Sequence, residues 1–167
     1  MAVEGAGEEL VDVVDADDCV VGTVTRAEMR AQRLRHRCTF VVVRSTAGEV
    51  LVHRRSDLKD LWPGHWDLCA GGVVAAGEDW EPAARRELAE ELGVVDAVLE
   101  PLGAGVYEDA HVAEVARVWT TVHDGPFTFT DDEVVEARFV TLDHLATLLA
   151  DGPFVPDSRA IVLPLLR

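Results

Sequence analysis

The chain has 167 residues and carries 31 Asp and Glu against 15 Lys and Arg, a formal charge of −16. That balance excludes the basic face on which nucleic-acid modules depend. No apolar run reaches the roughly 18 residues of a membrane span. The length predicts one domain over 1–167, and an apolar fraction of 49% is enough for a buried core. The N-terminal stretch MAVEGAGEEL has neither a basic start nor a hydrophobic run, so no signal peptide is expected. Cys19, Cys38 and Cys69 are odd in number and scattered, with no CxxC pair, which points to a reducing cytoplasm. Charge is unevenly spread. Residues 1–18 hold seven acids and no base, whereas 26–59 hold nine of the fifteen bases, a local positive field suited to a small anion.

Taken in chain order, LVDVVDADDCVVGTVT predicts two short strands around an acidic turn. RAEMRAQRLRH predicts a helix with Thr25 as its N-cap. CTFVVVRSTAGEVLVHRR predicts a strand, a turn and a strand, paired as a hairpin. The first of these is apolar nearly throughout, as for a strand buried on both faces. DLKDLWPGHWD predicts a loop broken by Pro63 and Gly64, and LCAGGVV a short strand. A helix then starts after Asp79, tolerates Pro82 in its first turn and stops at Gly93. Two strands follow in AVLEPLGAGVYED and HVAEVARVWTTVHD, then a turn, an acidic loop and a strand in GPFTFTDDEVVEARFV. Thr141 can cap an amphipathic helix in LDHLATLLA, and PDSRAIVLPLLR reads as a short final helix. Interleaved strands and helices imply α/β layers on a mixed sheet.

The segment GGVVAAGEDWEPAARRELAEELGV, residues 71–94, carries the chemistry. At about 100° per residue, Glu87, Glu90 and Glu91 fall within one arc of the helix. Ala84, Leu88 and Leu92 form a separate apolar stripe. Three like charges in the C-terminal half of a helix oppose both one another and the helix dipole, and Arg86 offsets only part of this. A solvated acidic face is one reading. A divalent cation is the other, and hard oxygen ligands at this spacing suit Mg²⁺ or Mn²⁺.

The flanking residues bear on that choice. The segment fits Gly72-x5-Glu78-x7-Arg86-Glu87-Leu88-x-Glu90-Glu91-x-Gly93-Val94 at every fixed position. Average residue frequencies put a chance match below roughly one in a million. This is the Nudix box pattern, here over 72–94, and the chain resembles a Nudix hydrolase. The resemblance implies an α/β/α sandwich with a mixed β-sheet and cleavage of a diphosphate linkage, typically a nucleoside diphosphate joined to another group. It implies in-line attack by a metal-activated water. Glu87, Glu90 and Glu91 would be metal ligands, with the carbonyl of Gly71 within reach of the ion. Arg86 would orient Glu87, Glu78 would stand near the metal, and Gly72 would permit the tight loop. The proton acceptor varies across the family and is left open among box and outside glutamates.

A looser resemblance over about 10–145 is to the branch that includes isopentenyl diphosphate isomerase. His36 and Glu114 match a metal-binding histidine and the catalytic glutamate of that enzyme. Its catalytic cysteine falls on Gly71, and two more of its histidines fall on Met29 and Val73, so hydrolysis is favoured over isomerisation. Glu114 is thus either an outward-facing strand carboxylate or an extra ligand or base. Arg54, Arg55 and Lys59 are either solvated strand-end charges or phosphate contacts. Trp62, Trp66 and Trp80 are read as packing residues and Cys69 as a small buried hydrophobe. The expectation is a cytoplasmic, Mg²⁺- or Mn²⁺-dependent diphosphate hydrolase with a small-molecule substrate, no nucleic-acid polymer or membrane partner, and a monomeric or homodimeric state. A diphosphate isomerase and a non-catalytic diphosphate sensor are the alternatives.

Overall fold

The computed structural model describes residues 5–130 and 132–167. After a 3-10 turn at Ala6–Glu8, strands β1 (Leu10–Val14) and β2 (Val20–Thr25) pair antiparallel. Their acidic turn is held by Asp15, whose Oδ1 accepts from the amides of Asp17 and Cys19 at 2.9 and 3.0 Å. Thr25 Oγ1 accepts from Glu28 N at 3.2 Å and caps helix α1 (Arg26–Gln32). This helix is shorter than expected, because Arg33 turns left-handed at φ 52° and closes it.

Strand β3 (His36–Arg44) is the centre of the fold, with six consecutive buried residues from Cys38 to Val43. It pairs in parallel with β8 (Ala113–Val122) along its whole length, from His36↔Glu114 to Arg44↔Val122. On its other side it pairs antiparallel with β6 (Ala70–Val73), Phe40 facing Gly71 and Thr39 facing Gly72. The expected hairpin with β4 (Val50–Arg55) is therefore corrected: the two strands meet only at Arg44↔Val50. Because β6 and β8 satisfy the backbone of β3, β4 peels away to pair with β9 (Val134–Val140) and with β5 (Trp66–Asp67). The two-residue β5 lies inside the stretch expected to be a loop. Strand β7 (Glu100–Glu108) extends the sheet beyond β8.

Alternation along β3 builds two cores. Cys38, Phe40 and Val42 join Met29 of α1, Leu145 of α3 (Leu142–Asp151) and Ile161 of α4 (Pro156–Ile161). Val41 and Val43 face the other way, onto Ala84, Leu88 and Leu92 of α2 (Trp80–Leu92). Helices thus cover both faces of a mixed sheet, a mixed α/β architecture. Helix α2 begins at Asp79, whose carbonyl, not its side chain, accepts from Ala83 N at 3.1 Å. It ends at Gly93, left-handed at φ 69°.

The apolar stripe of α2 packs against the sheet and so fixes the adjoining strip of the helix, where Glu87 and Glu91 are buried beside it. Leu88 is 1% exposed between Ala84 and Leu92. Leu88→Ala should cost about 2–5 kcal/mol, read as a lower midpoint in urea unfolding.

Candidate active site

The box residues assemble where β6, the loop 74–79 and α2 meet. The loop turns at Glu78, whose amide donates to Ala75 O at 3.0 Å, and is tied to β1 by Ala76 N to Leu10 O at 2.8 Å. Arg86 is the hub. Its Nη2 donates to Glu78 Oε1 at 3.0 Å and to Val73 O at 3.2 Å, and its Nη1 donates to Glu87 Oε1 at 2.8 Å. One guanidinium therefore links strand, loop and helix and aims Glu87.

Glu87 and Glu91 are buried, at 7% and 2% exposure. Burial, opposed by Arg86, pushes the Glu87 carboxyl up to about 7. Burial and then the charge of Glu87 push Glu91 well above the usual carboxylate range. Glu91 Oε1 accepts from Gly71 N at 3.3 Å, and His53 Nε2 lies 3.5 Å from Oε2. Burial holds His53 down to about 4, so that approach is not an ion pair at neutral pH. The glycines make room for these carboxylates. A Cβ on Gly72 would stand 2.6–2.8 Å from the Glu87 carboxylate, and one on Gly71 would strike the Thr39 carbonyl oxygen and stand 2.7 Å from the Phe40 ring.

The carboxylate cluster differs from the expected trio. Glu87 and Glu91 offer oxygens within 4.8 Å of one another and of Glu133, at the foot of β9. Glu90 is exposed, with Oε2 3.4 Å from Arg86 Nη1. Glu133 went unnoticed in the sequence because no spacing rule ties it to a helix some forty residues away. Its only signal was the acidic loop before β9, of which Asp131 lies outside the described residues. Lys59 Nζ holds Glu133 at 3.0 Å, and Ser56 N donates to Glu133 O at 2.9 Å. Two carboxyls raised chiefly by burial, a third beside them and a glycine that leaves the space open are a donor set that fits a hard divalent cation.

A cleft of about 550 Å³, its open mouth included, runs from Gly71 and Gly72 past Arg55 and Lys59 to Glu114 and Asp157. The structure separates the three basic candidates. Arg55 and Lys59 line the cleft, whereas Arg54 does not and pairs with Glu136 at 3.2 Å. Successive strand residues point to opposite faces, which is why Arg54 and Arg55 part. Arg55 Nη2 donates to Leu61 O at 2.9 Å. Glu114 is no outward-facing carboxylate: it is 2% exposed and reaches the cleft on the same face of β8 as Ala116 and Val118. His36 is buried beside it, with Nδ1 2.9 Å from Leu34 O. Cys69 is buried, and burial pushes its thiol well up. Trp62 lines the cleft, while Trp66 and Trp80 stack under Arg138 and Arg117 at 4.9 and 4.5 Å.

Comparison with known proteins places this geometry. The model of the NUDIX domain matches residues 34–162. The Nudix hydrolase YfcD of Salmonella typhi is 40% identical over 163 residues, covering 97% of this chain and 88% of that protein. The Nudix hydrolase PA4841 of Pseudomonas aeruginosa is 39% identical over 150 residues, 90% of this chain and 89% of that one. Among solved structures, DR0079 of Deinococcus radiodurans superposes with a TM-score of 0.77 at 29% identity, covering 89% of this chain and 94% of that one. A MutT protein of Methanosarcina mazei Go1 gives 0.63 at 25% identity, over 74% and 86% of the two chains. A domain model matched across most of the chain, and relatives near 40% identity along nearly all of it, show that the protein belongs to the NUDIX family and is a Nudix hydrolase.

Proposed function

We propose that the protein is a divalent-metal-dependent hydrolase of a small diphosphate, of the nucleoside diphosphate-X type or a near relative. The observation that carries this reading is the convergence of Glu87, Glu91 and Glu133 within 4.8 Å, with Glu87 and Glu91 packed on Gly72 and Gly71, which line a cleft together with Arg55 and Lys59. Glu87, Glu91 and Glu133 would hold the cation, with Glu90 and the Gly71 carbonyl at hand. A Mg²⁺ or Mn²⁺ ion bound there supplies charge neutralisation for the diphosphate and a more acidic water for attack at phosphorus.

The chain's own residues supply the rest. Arg86, fixed on Glu78 and Val73 O, keeps Glu87 from turning away. Arg55 and Lys59, which line the cleft, bind phosphate oxygens and offset locally the overall charge of −16, which would otherwise repel the substrate. Lys59 also sets the position of Glu133, whose Oε2 lies 3.0 Å from its Nζ. The described helices include none long and apolar enough to cross a membrane, in keeping with a substrate met in water. Isomerisation is disfavoured by space: where the resembling isomerase has its cysteine, a side chain on Gly71 would run into Thr39 and Phe40.

Release of phosphate or nucleotide from a panel of diphosphates, with Mg²⁺ and with Mn²⁺, tests the reading. No turnover across the panel, with binding intact, would establish a sensor instead. Glu91→Gln should lower metal-dependent turnover at least about a hundredfold and abolish Mn²⁺ binding in calorimetry, with the circular dichroism spectrum unchanged. Activity within a few-fold of wild type would remove Glu91 from the site.

The cleft geometry divides the neighbouring arginines. Arg55→Ala should raise KM about tenfold with little change in kcat, whereas Arg54→Ala should leave KM within about twofold. Equal effects would place the phosphates elsewhere.

The raised Glu87 and Glu91 carboxyls give a pH signature. In the metal-free protein the folded state holds protons that the unfolded state has released above the ordinary carboxylate range. Their stability contribution is therefore complete at low pH and lost as pH rises through about 7, the value for Glu87. A bound cation needs those protons gone. The rise in Tm on adding Mg²⁺ should accordingly be small at pH 5.5 and grow steadily to pH 8. A rise independent of pH would contradict the placing of the ion on these carboxylates.

A further inference from the structure

Beyond Gly71 and Gly72 the cleft changes character. Its far wall carries Asp67 of β5, Glu114 of β8 and Asp157 of α4, at 6%, 2% and 9% exposure. Asp67 has a base, Arg55, at 3.7 Å. Among the described residues, neither Glu114 nor Asp157 has a Lys, Arg or His nitrogen within 4.0 Å. Both line the same cleft and both are buried, so neither carboxyl has bulk water to compensate it. Asp157 Oδ1 accepts from Ser158 N at 2.7 Å, whereas Glu114 Oε1 is buried with no partner. A buried carboxylate oxygen left without a donor is costly, and water is largely kept from this one.

The group that would satisfy it brings both hydrogen-bond donors and positive charge. A hydroxyl brings one donor and no charge; an ammonium brings three donors and a full charge. A doubly charged ion is less well matched, because Arg26 and Arg30 line the same cleft and repel it more strongly than a single charge. We propose that this end of the cleft is a subsite for an ammonium group, so that the diphosphate substrate carries an amine on its appended part, held by Glu114 and Asp157. The inference rests on the diphosphate-hydrolase reading, with the phosphates at the Gly71–Gly72 end and the appended group at the other.

Burial, followed by each group's acidic neighbours, pushes Glu114 and Asp157 above the ordinary carboxylate range.

The test is calorimetric titration of the whole protein, in Mg²⁺, with phosphoethanolamine and with glycerol 3-phosphate. Both carry the same phosphate, and they differ in offering an ammonium or hydroxyls to the far wall. Phosphoethanolamine should bind about tenfold more tightly or better. In Asp157→Asn and in Glu114→Gln, each close in shape to the original, the preference should fall below about twofold. Should Glu114→Gln fail to fold, Asp157→Asn alone decides. Equal affinity for the two ligands, no binding of either, or a preference that survives substitution would overturn the subsite. So would a thiolate-to-cobalt charge-transfer band that Cys38→Ser removes, since it would assign Glu114 to a metal with His36 and Cys38, whose donor atoms lie within 4.8 Å of it. Phosphate release is measured separately. Turnover without an ammonium preference sinks only this inference, and a preference without turnover sinks only the hydrolase reading.

Discussion

Two like charges cannot be buried side by side unless something else shares the space, and the structure is arranged around that constraint. Glu87 and Glu91 lie one helical turn apart on the face of α2 turned toward β6, both shielded from water. Leu88 and Leu92 lock the helix to the sheet, so these carboxylates cannot swing outward without unpacking a core. Gly72 gives them room, and Arg86 gives one of them a counter-charge. Every other part of the site follows from where this pair is pinned.

Backbone pairing sets the position of the surrounding strands. Strand β3 has its backbone satisfied by β6 and β8, which forces β4 to turn toward β9. That divergence brings His53, Arg55 and the foot of β9 around the end of α2. Glu133 and Lys59 arrive as a pair, one to meet the carboxylates and one to meet an anion. Tertiary pairing thus completes from three distant segments what the box leaves open.

The local features of the fold could be read from residues. Thr25 and Thr141 cap helices as their hydroxyls predict, Gly93 stops α2, and the apolar run in β3 is buried on both faces. The box spacing points to Arg86 as the partner of Glu87, a contact set by neighbouring positions on one helix, whereas Gly72, read as permitting the tight loop, lies within β6 and leaves room for the Glu87 carboxylate. Long-range pairing was not visible. Nothing in CTFVVVRSTAGEVLVHRR shows that its two strands separate after a single pair of residues. Nor does the sequence show that Glu133 joins Glu87 and Glu91, that Glu114 turns inward to a cleft that Asp157 also lines, or that Arg54 faces away from that cleft while Arg55 lines it. Each depends on which strands become neighbours, a property of the whole chain.

The parting of β3 from β4 has an evolutionary consequence. One branch of the sheet carries the glycines against which the glutamates pack; the other leads into the connection from Ser56 to His65, whose Asp60, Leu61 and Trp62 line the cleft. Because the branches share so short a seam, residues in that connection can be exchanged with little strain passed to the glycines. A descendant of this chain could change what it accepts while keeping how it cuts.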